Sequence, residues 1–223
     1  MRASDREDKL YEDGKRVEIS YDENFMFDFL ERYAKNESKV LDVGCGTGEI
    51  SLKISESGHN TIGLDFSKIA LDVAKYQGVD CFWCDLDEGI SQPSNFFDIV
   101  WAGDVVEHVF DPLGLISEVE RVLNPDGLFL FSIPYDLHIA NRIRSIFGIS
   151  YQEPIYKALR QCKHHTFFTD SLAEYMLAEN NFKVLDKVYI NRIPKTNKLF
   201  STRFKYSRII GHSIVYAAKK IND

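Results

Sequence analysis

Cysteine, proline, positive charge and long apolar runs are all scarce in this chain, and each shortage excludes something. Four cysteines (Cys45, Cys81, Cys84 and Cys162) among 223 residues are too few for a disulfide scaffold, so a reducing cytoplasm is the expected address. Six prolines and thirteen glycines leave no collagen-like or low-complexity tract. No stretch approaches the ~18 uncharged apolar residues that a membrane span requires. The first residues, MRASDREDKLYEDGKR, are densely charged and have no apolar core, unlike a secretory signal. Lys and Arg number 27 against 34 Asp and Glu, a formal net charge of −7. A chain of that sign is a poor general binder of nucleic acid or anionic membrane, because phosphate attraction needs a positive surface.

What is present is ordinary globular material. Hydrophobic residues make up 44% and aromatics 13%, enough for one domain with a sizeable core at roughly 100–200 residues per domain. The cations are unevenly spread. Lys187, Arg192, Lys195, Lys198, Arg203, Lys205 and Arg208 follow one another with no Asp or Glu between, so a local anion site is compatible with an acidic chain. A solvated basic loop is the plainer reading of the same stretch.

Strand-like and helix-like segments alternate. Phe25, Met26, Phe29, Leu30 and Tyr33 recur at helical spacing within 22–35, an amphipathic helix. Strands are expected over 39–43, 60–64, 79–84, 97–101 and 128–133. Helices are expected over 49–57, 68–76 with Ser67 as cap, and 111–123 with Pro112 at its first position. Asn124-Pro125-Asp126-Gly127 reads as a turn. Beyond residue 134 the spacing gives helices over 138–147 and 170–180 and strands over 184–190 and 213–218. Apolar strands separated by helices mean βαβ units and a parallel sheet covered on both faces. The expectation is a doubly wound, Rossmann-like α/β domain over 1–223: seven strands, mostly parallel, with an antiparallel final strand and a helical cap near 135–168.

In such a sheet ligands bind beyond the carboxyl ends of the strands. Gly44-Cys45-Gly46-Thr47-Gly48, Asp65 and Asp85 stand at three of those ends. The glycines let backbone approach a ligand, Asp65 is placed for two ribose hydroxyls, and Asp85 with Leu86 suits an adenine edge. The spacing is not the dinucleotide G-x-G-x-x-G, since Glu49 stands where the third glycine would fall. That favours a nucleoside without a pyrophosphate.

VLDVGCGTGEIS, GLDFSKIALDVAK, the Cys84-Asp85-Leu86 step, FDIVWAGDVVEHV and LNPDGLFLFSIP together resemble the class I S-adenosylmethionine-dependent methyltransferases. HHTFFT at 164–169 and Asn181-Phe182 resemble the tail of small-molecule members, such as ubiquinone-biosynthesis O-methyltransferases and polysaccharide-modifying relatives. The resemblance implies S-adenosylmethionine as cofactor and S-adenosylhomocysteine as product. It implies that Asp42, Gly44, Gly46 and Gly48 shape the methionine end, that Asp65 takes the ribose, and that Phe66, Asp85 and Leu86 surround the adenine. Ala102 and Gly103 would line the sulfonium side. A helix within 1–37 would cover the cofactor, with Tyr11, Arg16 and Tyr21 available to close over it.

Methyl transfer from a sulfonium is an in-line displacement that needs chiefly positioning. An oxygen acceptor also profits from a general base. His108, after the fourth strand, and His164 and His165, before the last large helix, are the candidates. Each has a structural reading as a loop-ordering histidine, and His138 is a fourth possibility at the cap. Glu107 with His108 is a poor metal set alone, so no metal site is assigned. Cys81 and Cys84 lie three apart on a strand and so face opposite sides, which argues against a redox pair. The leading function is methyl transfer to a small-molecule, glycan or lipid-type acceptor, at oxygen and with an anionic group. An RNA or protein methyltransferase, and a non-catalytic nucleoside-binding or NAD-dependent Rossmann protein, are the alternatives.

Overall fold

The computed structural model of the chain describes residues 21–135, 137–149, 164–192, 199–202, 209 and 211–221. Eight strands form one sheet: β1 (Lys39–Val43), β2 (Asn60–Asp65), β3 (Cys81–Trp83), β4 (Phe97–Ala102), β5 (Leu123–Pro134), β6 (Phe182–Arg192), β7 (Leu199–Thr202) and β8 (Ser213–Lys220). Their spatial order is β3-β2-β1-β4-β5-β8-β6-β7. Strands β1 to β5 pair in parallel. Strand β8 runs antiparallel between β5 and β6. This is the expected seven-stranded sheet with one short strand added at its edge. Strand β6 runs on to Arg192, and β7 returns against it from Leu199 to Thr202, where the sequence suggests a plain loop.

The helices are α1 (Tyr21–Tyr33), α2 (Glu49–Glu56), α3 (Lys68–Tyr76), α4 (Pro112–Val122), α5 (Ile139–Ile146) and α6 (Asp170–Glu179). Caps fix their starts. The Ser67 hydroxyl accepts from Ala70 N at 3.2 Å, Asp111 accepts from Gly114 N at 3.0 Å, and Thr169 accepts from Leu172 N at 3.1 Å. Each satisfies a first-turn N–H that has no partner within the helix. Third-strand pairing is shorter than expected, three residues only, because residues 79 and 80 complete the turn out of α3: Val79 N bonds back to Ala74 O at 3.0 Å. The expected Asn124–Gly127 turn is a bulge inside one continuous β5. Phe97 pairs with Leu123 and Ile99 with Leu128, so four residues loop out, with Asp126 at φ 65°.

Period-two alternation sends side chains to both faces. On one face Phe129, Phe131, Tyr216 and Ala218 pack beneath Leu115, Ile116, Val119 and Val122 of α4 and Ala173, Met176 and Leu177 of α6. On the other, Val40, Ile99, Trp101, Leu130, Val215 and Ala217 pack beneath Met26, Phe27, Phe29 and Leu30 of α1. A smaller cluster of Cys45, Leu71, Ala74, Val79 and Cys81 seats α3. Cys81 and Cys84 are buried free thiols directed at different carbonyls, Leu71 O and Gly89 O, although Cys84 falls one residue past the end of β3 rather than on the strand. Cys162 lies outside the described residues, as do Tyr11, Arg16 and residues 136 and 150–163 of the expected cap.

The end of α4 is closed by a cation from the last strand. Lys220 is buried, and its Nζ donates to Glu120 O at 2.7 Å, Leu123 O at 3.0 Å and Asn95 Oδ1 at 3.2 Å. Its neighbour Lys219 meets Asp126 in an exposed pair. Removing a charged donor from buried carbonyls costs about 1.5–3 kcal/mol, whereas an exposed pair contributes about 0–1 kcal/mol. Lys220→Met should therefore lower the thermal midpoint by several degrees, at roughly 2–4 °C per kcal/mol for a chain of this size. Lys219→Met should leave it nearly unchanged, and calorimetry of the two variants checks the contrast.

Candidate active site

Parallel pairing brings the ends of β1, β2, β3 and β4 to one edge. Val43 lies beside Leu64, Asp65 beside Trp83 and Asp42 beside Trp101. The loop after β1 turns back at once: Gly44 N and Cys45 N both donate to Leu64 O, at 2.7 and 3.0 Å. Gly44 holds φ 76°, and a Cβ there would stand 2.5 Å from Cγ2 of Val105. Gly46 sits at φ 55°, the left-handed region that side chains disfavour. Gly48 is the N-cap of α2.

Asp65 ties two loops together. Its Oδ2 accepts from Gly46 N at 2.9 Å and its Oδ1 from Ser67 N at 2.8 Å. Phe66 follows it, half-buried, and its carbonyl accepts from Trp83 Nε1 at 2.9 Å. Asp85 is half-buried after β3 and bonds Asp87 N at 3.1 Å, while Leu86 packs against the larger core. Asp42 is buried under the glycine loop and accepts from Ser51 Oγ at 2.6 Å. Burial pushes its carboxyl up to about 7, against the Ser51 hydrogen bond and with help from the charge of Asp65. Ala102 is buried and Gly103 half-buried at the end of β4.

The turn beyond Gly103 holds two residues that the sequence does not single out. Asp104 sits at φ 52°. Its N–H donates to Ser132 Oγ at 2.9 Å, and that hydroxyl donates back to Asp104 Oδ1 at 2.7 Å. The turn is thereby locked to β5. A non-glycine residue at positive φ leaves no mark in a sequence, and Ser132 reads as one more strand residue.

Beyond Asp104, a single 3₁₀ turn carries Glu107 and His108, and the segment before α6 returns to it. His165 N donates to Glu107 O at 2.7 Å. The His108 and His164 rings meet edge to face with centroids 4.9 Å apart, and His165 lies against Phe110 at 4.2 Å. Glu107 is buried, with Oε1 3.9 Å from His108 Nε2. His164 Nδ1 is buried and has no hydrogen-bond partner among the described residues. Burial lowers the His164 pKa from 6.5, and the charge of Asp104 opposes that only in part. One ligand atom each from Glu107, His108 and His164 lies within 4.8 Å of the others. The third donor, 56 positions further along the chain than His108, makes the group able to hold a divalent cation, which adjacent Glu107 and His108 alone are not.

His138 stands apart as the N-cap of α5, its ring 4.1 Å from that of His212 at a 40° tilt. The basic stretch is corrected at its start. Lys187 points into β6's own surroundings, paired with Glu174 and lying 3.6 Å from Asp170, so it is not at the ligand edge. Register explains this: Lys187 pairs with Tyr216 in mid-strand, three residues short of Ile190. The side chains of Arg192, Lys195, Lys198, Arg203, Lys205 and Arg208 lie outside the described residues.

Comparison with known proteins agrees with this geometry. A family model described as a methyltransferase domain matches residues 19–187. The chain is 33% identical over 104 residues to a ubiquinone biosynthesis O-methyltransferase of Actinobacillus pleuropneumoniae, covering 42% of this chain and 44% of that protein. It is 34% identical over 112 residues to the protein of that name from Aromatoleum aromaticum, covering 47% and 48%. The chain thus spans under half the length of the curated relatives it matches. Its fold is similar to a solved S-adenosylmethionine-dependent methyltransferase of Methanosarcina mazei, with TM-score 0.67 and 17% identity over 93% of this chain and all of that one. With the family model covering most of its length, the chain belongs to the methyltransferase-domain family.

Proposed function

We propose that this enzyme methylates a hydroxyl oxygen of a small-molecule acceptor. The observation that carries the reading is His164. Its Nδ1 is enclosed without a hydrogen-bond partner among the described residues, at the same sheet edge as the cofactor loop, and burial favours its neutral form. A neutral imidazole nitrogen is the group that accepts a proton from an attacking hydroxyl. The names of the curated relatives, O-methyltransferases of ubiquinone biosynthesis, support oxygen as the methylated atom.

The residues present fit the cofactor. The glycine loop brings backbone close where a side chain would collide with Val105. Each Asp65 oxygen accepts a backbone N–H, and a carboxylate oxygen can accept more than one hydrogen bond, so the pair suits two vicinal ribose hydroxyls. Gly44, Gly46, Gly48 and Asp42 hold the methionine end, Phe66, Asp85 and Leu86 the adenine, and Ala102 and Gly103 the reacting side. When bound, the cofactor supplies an electrophilic methyl on a sulfonium and leaves as neutral S-adenosylhomocysteine. Asp65 and the glycine loop fix where that methyl stands. Glu107 and Asp104 hold the turn that presents His108 against His164. His164 takes the hydroxyl proton as the acceptor oxygen bonds to the methyl carbon, with His108 or His165 able to relay it outward.

Incubation with tritiated S-adenosylmethionine and catechols, phenols, sugar phosphates and lipid-linked glycans tests the acceptor class. Label is expected in the small-molecule fraction. Label confined to RNA or protein would overturn the reading.

The pH behaviour of Asp42 is specific. A bound α-ammonium group favours the ionised carboxylate, so binding at low pH must expel a proton. Affinity for S-adenosylmethionine should be level above about pH 7, the folded value of Asp42. It should weaken below that, by up to about tenfold per pH unit. Asp42→Asn should flatten the profile, as isothermal titration at several pH values will record.

For His164 the shift is downward, but the pH dependence has the same sign. Its pKa lies below 6.5, so turnover should climb with pH through a limb below that value and be level at neutral pH. His164→Gln should lower kcat by about 10²–10⁴-fold with cofactor affinity within about twofold of wild type. A second reading rests on the Glu107–His108–His164 cluster: the three hold a divalent cation that orients the acceptor oxygen. Dialysis against a chelator separates the two. Retained turnover supports the base, whereas loss restored by added divalent metal supports the cation.

A further inference from the structure

Helix α5 has no buried residue. Ile139, Ile143, Ile146 and Phe147, with Ile149 just beyond, are all exposed, Ile146 at 80% and Phe147 at 75%. Positions i, i+4, i+7 and i+8 of a helix fall on one stripe, about 100° wide at about 100° per residue. Arg142 and Arg144 stand on either flank of that stripe, both exposed. From Leu137 to Gln152 the chain carries two arginines and no Asp or Glu, although the whole is acidic. Helix stability in proteins comes mostly from packing of the apolar face, and here no residue of that face is buried among the described residues.

We propose that α5 is a docking surface for an anionic lipid bilayer. An apolar stripe bordered by arginines is the pattern of a helix lying in the plane of a membrane interface, apolar side chains among the acyl chains and cations at the headgroups. A second protein surface fits less well. The helix is eight residues long, about 12 Å, and offers five apolar side chains, whereas a stable interface takes about 20–30 residues a side. Two copies meeting through this stripe would also bring four arginines together. A bilayer demands no matching shape, and each inserted side chain contributes separately. The acidity of the rest of the chain does not prevent this, because charges beyond about 8 Å are screened at physiological ionic strength.

The placement supports the same occupant. The ring of His138, which caps α5, lies 4.1 Å from that of His212 at a 40° tilt, and Tyr135 N bonds His212 O at 2.8 Å. These contacts fasten the start of the helix to the carboxyl end of β5, the edge at which the proposed catalytic groups gather.

Vesicle flotation of the full chain tests the proposal, and it needs neither acceptor nor turnover, so its outcome is separate from that of the methyl-transfer reading. Vesicles of phosphatidylcholine with about 30% phosphatidylglycerol should carry the protein, and pure phosphatidylcholine should carry at least tenfold less. Ile143→Glu/Ile146→Glu/Phe147→Glu should lower the partition coefficient by more than tenfold. Arg142→Ser/Arg144→Ser should lower it by about tenfold or more, at roughly fivefold per cation. Thermal midpoint and cofactor affinity should be unchanged in both, since every substituted side chain is exposed. Ile146→Glu alone serves if the triple variant does not fold. Failure of the wild type to float, flotation of the triple variant equal to wild type, or equal binding to both vesicle types would overturn the proposal. A wild-type dimer in sedimentation that the triple variant lacks would overturn it too, assigning the stripe to a second copy.

Discussion

Two backbone N–H groups, those of Gly46 and Ser67, converge on the carboxylate of Asp65, and the proposed cofactor edge depends on that convergence. Hydrogen bonds to a carboxylate are short and about twice as strong as neutral ones. One oxygen holds the loop after β1 and the other holds the entry to α3, so a single side chain sets the spacing of two ligand-facing turns. Gly46 reaches Asp65 only because it occupies φ 55°. Substituting either residue would change the distance between loops as well as a contact.

Burial acts on Asp42 and His164, two titratable groups of the proposed site, in the same sense, toward the neutral form. It raises the carboxyl of Asp42 and lowers the imidazole of His164. Low polarity at the edge therefore readies a neutral proton acceptor on one side. On the other it leaves an acid whose ionisation a bound cation can draw out. The same low polarity makes each polar anchor count for more, which is why Asp104 and Ser132 satisfy one another twice across adjacent strands.

Strand β1, helix α3 and the caps Ser67 and Asp111 are legible in the amino-acid sequence, because apolar periodicity and capping chemistry are local signals. Asp42, the three glycines, Asp65 and Asp85 are legible as strand-end residues, and the register brings their strands to one edge. What the sequence hides depends on contacts distant along the chain. His164 meets Glu107 and His108 only after α4, β5 and the cap have been laid down. Lys187 reads as one of seven free cations until Glu174 and Asp170 are placed beside it. The short β7 has too little alternation to announce itself, and only its antiparallel partner defines it.

The position of β8 has a consequence for the order of assembly. The last strand of the sheet in sequence, residues 213–220, lies between β5 and β6 rather than at an edge. During synthesis β1 to β5 can pair as they emerge, but β5 then keeps one flank open, and β6 with β7 has no strand joining it to the rest of the sheet. The long-range pairing that closes the gap must wait for residues 213–220. Until then a nearly complete sheet presents the apolar edge strand Leu128–Ile133 to its surroundings. The nascent chain is thus most prone to aggregation in the interval between the emergence of β5 and that of β8.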